Sequence, residues 1–319
     1  MAFFNALPSA ITQGLIWGIM AIGVYITYKI LEVSDLTVDG SFCTGGAVFV
    51  VLMIAGWNVW LAMLAAVLAG MLAGLVTGIF HTICGIPAIL SGILTQLSLW
   101  SVNLAIMGMT SNKAMNLNKV KLLLSMRFMG EVEAGMRPVF QHPIVVVALF
   151  CAVVIGLLYW FFGTERGCSL RATGANTHMA RAQGINTSFN KVLGLMLGNG
   201  LVALSGCLWS QYFGFAEINM GRGAIVIGLA AIIIGEVIFG KLFGNFALKL
   251  TGVILGSVIY YIVIQMVISF ELIEDTNFLK LVSAMIVAVF LTVPYLKQRY
   301  FHKKKKPAEK KKKLAVKEK

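Results

Sequence analysis

Long apolar runs alternate with short polar breaks along this chain, at a spacing suited to membrane helices. Apolar stretches cover about residues 9–30, 36–56, 58–80, 85–109, 142–162, 189–211, 223–240, 250–270 and 278–296, and a helix needs roughly 20 apolar residues to cross the hydrocarbon layer. No strand-like alternation is sustained, and an open sheet edge is not tolerated in lipid. The expected fold is all-α: a polytopic integral membrane helix bundle of about nine apolar segments, one of which starts from a polar break near 32–41.

That break, Glu32-Val-Ser-Asp-Leu-Thr-Val-Asp-Gly-Ser41, is too polar to face lipid, and the apolar run after it, Phe42 to Ala55, is too short to span alone. Both difficulties vanish if a helix begins near Asp35 inside a protein-lined cavity, with Ser34 or Asp35 capping its free N–H groups. Thr37, Ser41 and Thr44 then share one helical face. Asp35 and Asp39, four residues apart, share another. Two carboxylates that close repel unless water, a cation or a substrate ammonium stabilises them. These five residues are the candidate substrate pathway; the competing reading is that the two aspartates merely end a helix at the cytoplasmic surface.

The break at 163–188 has a different composition. Ala172, Gly174, Ala175, Ala180, Ala182 and Gly184 allow close approach by another protein, and Arg166, Arg171 and Arg181 supply charge around that contact. Residues 110–141 form a longer break with a possible amphipathic stretch from Leu117 to Met129, suited to lying on a membrane or meeting an extracellular partner. Gly70, Gly74 and Gly78 make a small-xxx-small series for close helix packing, either within the subunit or between subunits. Trp57, Trp60, Tyr159 and Trp160 sit at segment ends, as interfacial anchors do.

Composition agrees. Hydrophobic residues make up 59% of the 319 and charged ones 12%, against about 25% charged in a soluble domain. The net charge of +13 is concentrated: residues 297–319 hold 12 Lys/Arg against 2 Glu, leaving only +3 for the rest. This divides the chain into a transmembrane domain, 1–296, and a basic cytoplasmic tail, 297–319, which meets anionic membrane lipid and not nucleic acid. An inside tail puts Lys29, the 163–188 loop with Lys191, Lys241 and Lys249 inside, and the N-terminus and the acidic turn 271–275 outside. Residues 110–141 fall outside by this parity although they carry Lys113, Lys119, Lys121, Arg127 and Arg137. The first run reads as a retained helix, since no Ala-x-Ala cleavage site comes after it.

Other chemistry finds little support. Cys43, Cys84, Cys151, Cys168 and Cys207 lack metal-ligand spacing and read as unpaired core-filling residues. His81, His142, His178 and His302 are isolated from one another, so no metal or acid–base cluster is expected. Gly235-Glu-Val-Ile-Phe-Gly-Lys-Leu242 imitates a phosphate-binding loop, but Leu242 replaces the Ser/Thr that would meet magnesium. No nucleotide site is expected on this chain. Glu236 is expected to pair with Lys241, and Gly221-Arg-Gly223 to place a charge at the outer mouth.

Two segments carry a family resemblance. Residues Glu165 to Asn186, with the next helix to Gly206 and Gln211-Tyr-Phe-Gly214, resemble permease subunits of bacterial ABC importers, in the branch serving branched-chain amino acids, ribose and related solutes. Asp35-Leu-Thr-Val-Asp-Gly40 and the lead-in at 21–28 are similar to the same family's elements. The resemblance implies a multi-pass protein of the bacterial plasma membrane that is not itself an enzyme. It also implies a homodimer of permease copies, a cytoplasmic ATPase dimer holding ATP and Mg, and an extracellular substrate-binding protein or lipoprotein. No cofactor or metal is then bound by the chain itself. In this family the 163–188 position holds a coupling helix, which assigns ATPase coupling to Arg171, Gly174, Ala175, Asn176, Ala180, Ala182 and Gly184 and puts the helix at 171–184. Leu36-Thr-Val-Asp-Gly-Ser-Phe42 is most similar to a subgroup presumed to carry tryptophan or tyrosine. The rival reading is an ion-coupled secondary transporter using Asp35, Asp39 or Glu236; a membrane scaffold without transport is a third. The small-residue loop favours the importer, because a secondary transporter needs no docking site for a motor.

Overall fold

The computed structural model describes residues 2–269 apart from 118, 119, 134, 136, 137 and 241–243, together with isolated positions between 284 and 292. Residues 1–270 form one compact unit and 271–319 a second. Lys119, Arg137, Lys241, Leu242, the turn 271–275, most of segment 278–296, His302 and the tail 297–319 lie outside the described residues.

Eleven α-helices are described. They are α1 (Ala2–Tyr25, continued by a π turn, Ile26–Ile30), α2 (Val38–Ile54), α3 (Val59–Thr82), α4 (Ala88–Ile106), α5 (Arg127–Glu133), α6 (Pro143–Gly163), α7 (Glu165–Ala175), α8 (Thr177–Ala182), α9 (Thr187–Phe213), α10 (Ala224–Phe239) and α11 (Phe246–Ser269). Eight of the nine expected segments coincide with α1–α4, α6 and α9–α11. Six of these are long and apolar enough to cross a membrane, whereas α2 and α10 have 17 and 16 residues. At 1.5 Å per residue both fall a few ångströms short of the hydrocarbon thickness.

The bundle is built around α9, which packs against α1, α2 and α3. Small residues make this possible. A Cβ on Gly70 or Gly74 would strike α9 backbone at Asn199 or Leu195, and one on Gly206 would strike the Phe42 carbonyl oxygen. The Gly70/Gly74/Gly78 series therefore serves packing within the subunit. Antiparallel pairing of α1 and α9 is recorded by Ser9–Tyr212 near one end and Ser205 Oγ donating to Ile16 O.

Two three-residue strands, β1 (Asn112–Ala114) and β2 (Phe215–Glu217), had no counterpart in the hydrophobic pattern. They pair antiparallel and tie the 107–126 loop to the end of α9. Gln211 Oε1 accepts from Leu123 N and Leu124 N, and Met126 N donates to Tyr212 O. The amphipathic stretch from Leu117 to Met129 is mostly loop among the described residues. Among the described residues of this stretch the helix begins at Arg127; Leu124 is buried, and its amide and that of Leu123 are held by the Gln211 carboxamide. Trp57, Trp60, Tyr159 and Trp160 are exposed at helix ends, as interfacial anchors should be. Cys43, Cys151 and Cys207 are buried and unpaired; Cys84 and Cys168 are exposed and so do not fill core.

Candidate coupling surface and translocation cleft

The 163–188 loop folds into α7 and α8, each started by a side-chain cap. Thr164 Oγ1 accepts from Gly167 N, Asn176 Oδ1 from Met179 N, and Asn186 Oδ1 from Phe189 N to begin α9. Gly184, at φ +78, ends α8 as a left-handed C-terminal glycine does. The expected single helix at 171–184 is thus two, because Asn176 adopts an extended conformation and caps α8.

The seven residues expected to meet an ATPase separate into two groups. Gly174 and Ala180 are buried within the subunit: a Cβ on Gly174 would collide with the Ile30 carbonyl oxygen. Arg171 donates from Nη2 to Phe162 O at 2.8 Å and lies over the Phe246 ring, so it closes the end of α6. Arg171 is nonetheless exposed, as are Ala175, Asn176, Ala182 and Gly184. They share that face with His178 and with Met179, a 52% exposed apolar side chain that small-residue reasoning overlooked. The buried side of the pair is fastened by Asn190 Nδ2 donating to Ser169 and Thr173, and by Arg181 Nε donating to Thr187 Oγ1. Through Gly174 and Ile30, α7 rests on the residue preceding Leu31, whose side chain is packed on Gly194.

Leu31 opens the polar break. Asp35 is 2% exposed, and its Oδ1 accepts from Thr37 N at 2.9 Å while Oδ2 accepts from Asn199 Nδ2 at 2.6 Å. Asn199 Oδ1 in turn accepts from Ser41 Oγ at 2.6 Å, and Thr37 Oγ1 bonds Thr77 Oγ1 on α3 at 2.7 Å. Thr44 returns its hydroxyl to Gly40 O. Asp35, Thr37, Ser41 and Thr44 are therefore buried in a polar knot joining α2, α3 and α9. The local turn at Asp35 delays the helix, which starts at Val38 and not near Asp35.

Consequently Asp35 and Asp39 do not share a face. Asp39 points away from the knot and accepts from Gly223 N at 2.9 Å and Ile225 N at 3.1 Å. These are the first amides of α10, whose own N-cap, Gly223 at φ +87, has no side chain to offer. The two short helices thus meet start to start, one capping the other. Beside Asp39 a cleft of about 130 Å³ opens between α2, α4 and the turn before α10.

Glu236 pairs with Lys29 at 2.9 Å. The expected partner, Lys241, lies outside the described residues. Both members of the observed pair are nearly half exposed, which limits its worth to about 1 kcal/mol or less.

A bundle knotted around small residues, with two half-length helices abutting inside it and a capped helical pair at one end, matches a known family over nearly its whole length. The model for the branched-chain amino acid transport system permease component covers residues 7–293. The chain belongs to that family. A tyrosine transport system permease protein of Clostridioides difficile is 40% identical over 90% of this chain and 90% of its own length. An uncharacterised protein of Rickettsia prowazekii is 31% identical over 90% and 97%. An autoinducer 2 import system permease of Salmonella typhimurium is 28% identical over a shorter stretch, 38% of this chain and 33% of the relative. The chain is thus a multi-pass plasma-membrane permease subunit of an ABC-type importer, a system that includes an ATPase and a substrate-binding protein.

Proposed function

We propose that two copies of this permease form the membrane pathway of an importer for an aromatic amino acid, tyrosine foremost. The observation that carries the substrate is the 40% identity to the tyrosine permease over nine-tenths of both chains. In this reading the chain is not an enzyme: ATP and Mg²⁺ are held by the partner ATPase dimer, and the permease itself binds no cofactor or metal.

The ATPase docks on the exposed face of α7 and α8, made by Ala175, Asn176, Met179, Ala182 and Gly184 around Arg166 and Arg181. Motion delivered there passes from Gly174 to Ile30 and Leu31, and so to the polar break. Residues 1–296 are the permease domain. The tail 297–319 and the α7–α8 end face the cytoplasm, where the tail's lysines meet anionic lipid. The binding protein docks at the opposite end, near the loop tied down by β1 and β2. The second copy covers α4, which carries Ser98 and Ser101 exposed among apolar side chains; these hydroxyls are better placed toward a polar pathway than toward lipid. Asp35, Thr37, Ser41 and Thr44 support this pathway from behind, and Asp39 borders it.

An ion-coupled carrier is less well supported. Asp35 has both oxygens committed to Thr37 N and Asn199, and Glu236 is held by a lysine. The test is reconstitution with the cognate ATPase and binding protein in proteoliposomes. ATP-dependent tyrosine uptake, insensitive to collapse of ion gradients, is expected. Uptake that needs no ATP and stops with the gradient sinks the proposal.

A further inference from the structure

We infer that the cleft between α2, α4 and the turn before α10 is a subsite for the zwitterionic head group of an α-amino acid, with Arg222 taking the carboxylate and Asp39 and Asn103 taking the ammonium. This rests on the import reading above and adds to it the residues that would recognise the solute.

Asp39, Gln96, Trp100, Asn103, Asn219 and Arg222 line the cleft. Its volume is about 130 Å³. That suits an ammonium, a Cα and a carboxylate, leaving the amino-acid side chain to extend outward. The cleft contains both signs of charge, and Arg222 acts on Asp39 through space without closing to ion-pair distance. Arg222 is exposed and makes no ion pair or hydrogen bond from its side chain among the described residues, although Asp39 borders the same space. Asp39 already accepts from the amides of Gly223, Ile225 and Ala224, which fixes its orientation and leaves acceptor capacity for a further donor.

Asn103 supplies the independent observation. It is 1% exposed, donates from Nδ2 to Gly40 O at 3.3 Å, and its Oδ1 is buried with no partner. A buried acceptor without a donor is costly, and here it belongs to a residue that lines the same cleft as Asp39 and Arg222. A ligand carrying N–H donors at one end and a carboxylate at the other satisfies both. A lone cation would meet Arg222, a lone anion would meet Asp39, and a neutral sugar would use neither charge. Trp100, 49% exposed at the rim, presents a flat apolar face where an aromatic side chain would leave the cleft.

The test uses the importer reconstituted in proteoliposomes with its ATPase and binding protein. Arg222→Gln is compared with Arg222→Lys and wild type, and co-purification with the ATPase serves as the folding control. Uptake of radiolabelled L-tyrosine is expected to fall at least tenfold in Arg222→Gln and to recover partly in Arg222→Lys. Delivered in place of tyrosine, 4-azido-L-phenylalanine should photolabel residues 96–103 or 218–222 in wild type, and not in Arg222→Gln. Full uptake by assembled Arg222→Gln, or labelling confined to other segments, overturns the subsite and leaves amino-acid import standing. A wild-type importer that carries a different α-amino acid overturns only the tyrosine assignment, and the head-group test is repeated with that solute. A wild type that carries no amino acid overturns both.

Discussion

Asn199 shows how much one side chain can hold. Placed at the middle of α9, it donates to Asp35 and to Leu195 O and accepts from Ser41, with none of its surface exposed. Hydrogen bonds to a charged group contribute about 1.5–3 kcal/mol, and leaving the charge short of a donor costs at least that. Asn199→Leu should therefore lower stability by about 2–3 kcal/mol, read as a fall in thermal midpoint of the solubilised protein. Asp35→Asn should cost less, because the amide still accepts one bond and no buried charge remains. Lys29→Ala, by contrast, should change the midpoint little, since that pair is solvated. The aspartates were visible in the sequence as polar residues where lipid should be. Their partners were not, because Asn199 and Thr77 lie in unremarkable apolar runs and only the fold brings them to the break.

At the scale of elements, the capped pair α7–α8 is the clearest instance of local sequence chemistry deciding structure. Thr164, Asn176 and Asn186 each precede a helix and each caps it, boundaries that residue type encodes although the single helix expected at 171–184 ran through Asn176. Which small residues face inward is not so encoded. Gly174 and Ala180 are packing residues, whereas Ala182 and Met179 are exposed, a distinction set by tertiary packing such as that of Gly174 on Ile30. Two variants separate these roles. Met179→Glu together with Ala182→Arg should abolish tyrosine-stimulated ATP hydrolysis in the assembled importer while leaving the thermal midpoint of the isolated permease unchanged; undisturbed stimulation would show that the ATPase docks elsewhere. Gly174→Leu should instead lower the midpoint, because α7 can no longer reach the Ile30 carbonyl. The short helices make a related point. Their lengths were legible, but the contact between their starts was not, since Asp39 and Gly223 are 184 positions apart.

For the whole molecule, the hydrophobic pattern was sufficient to place eight helices. The β1–β2 pair escaped because three-residue strands leave no periodic trace. The basic tail makes its own prediction. If its lysines contribute through anionic lipid, deleting residues 297–319 should weaken association with vesicles rich in phosphatidylglycerol at low salt. The difference should vanish at about 1 M salt, where the screening length is roughly 3 Å. Tyrosine uptake by the deleted form should persist, since the coupling face and the cleft lie wholly within residues 1–270.

The cap that α2 lends to α10 also bears on how the chain is made. α2 leaves the ribosome long before α10, so α10 enters the membrane with two leading amides that nothing on its own segment can satisfy. Those amides stay wet, at the interface or in a partly filled bundle, until Asp39 is presented to them. The final seating of α10 is thereby tied to the prior placement of α2, and a chain in which Asp39 has become alanine should insert its helices normally yet remain protease-sensitive at the 218–223 turn.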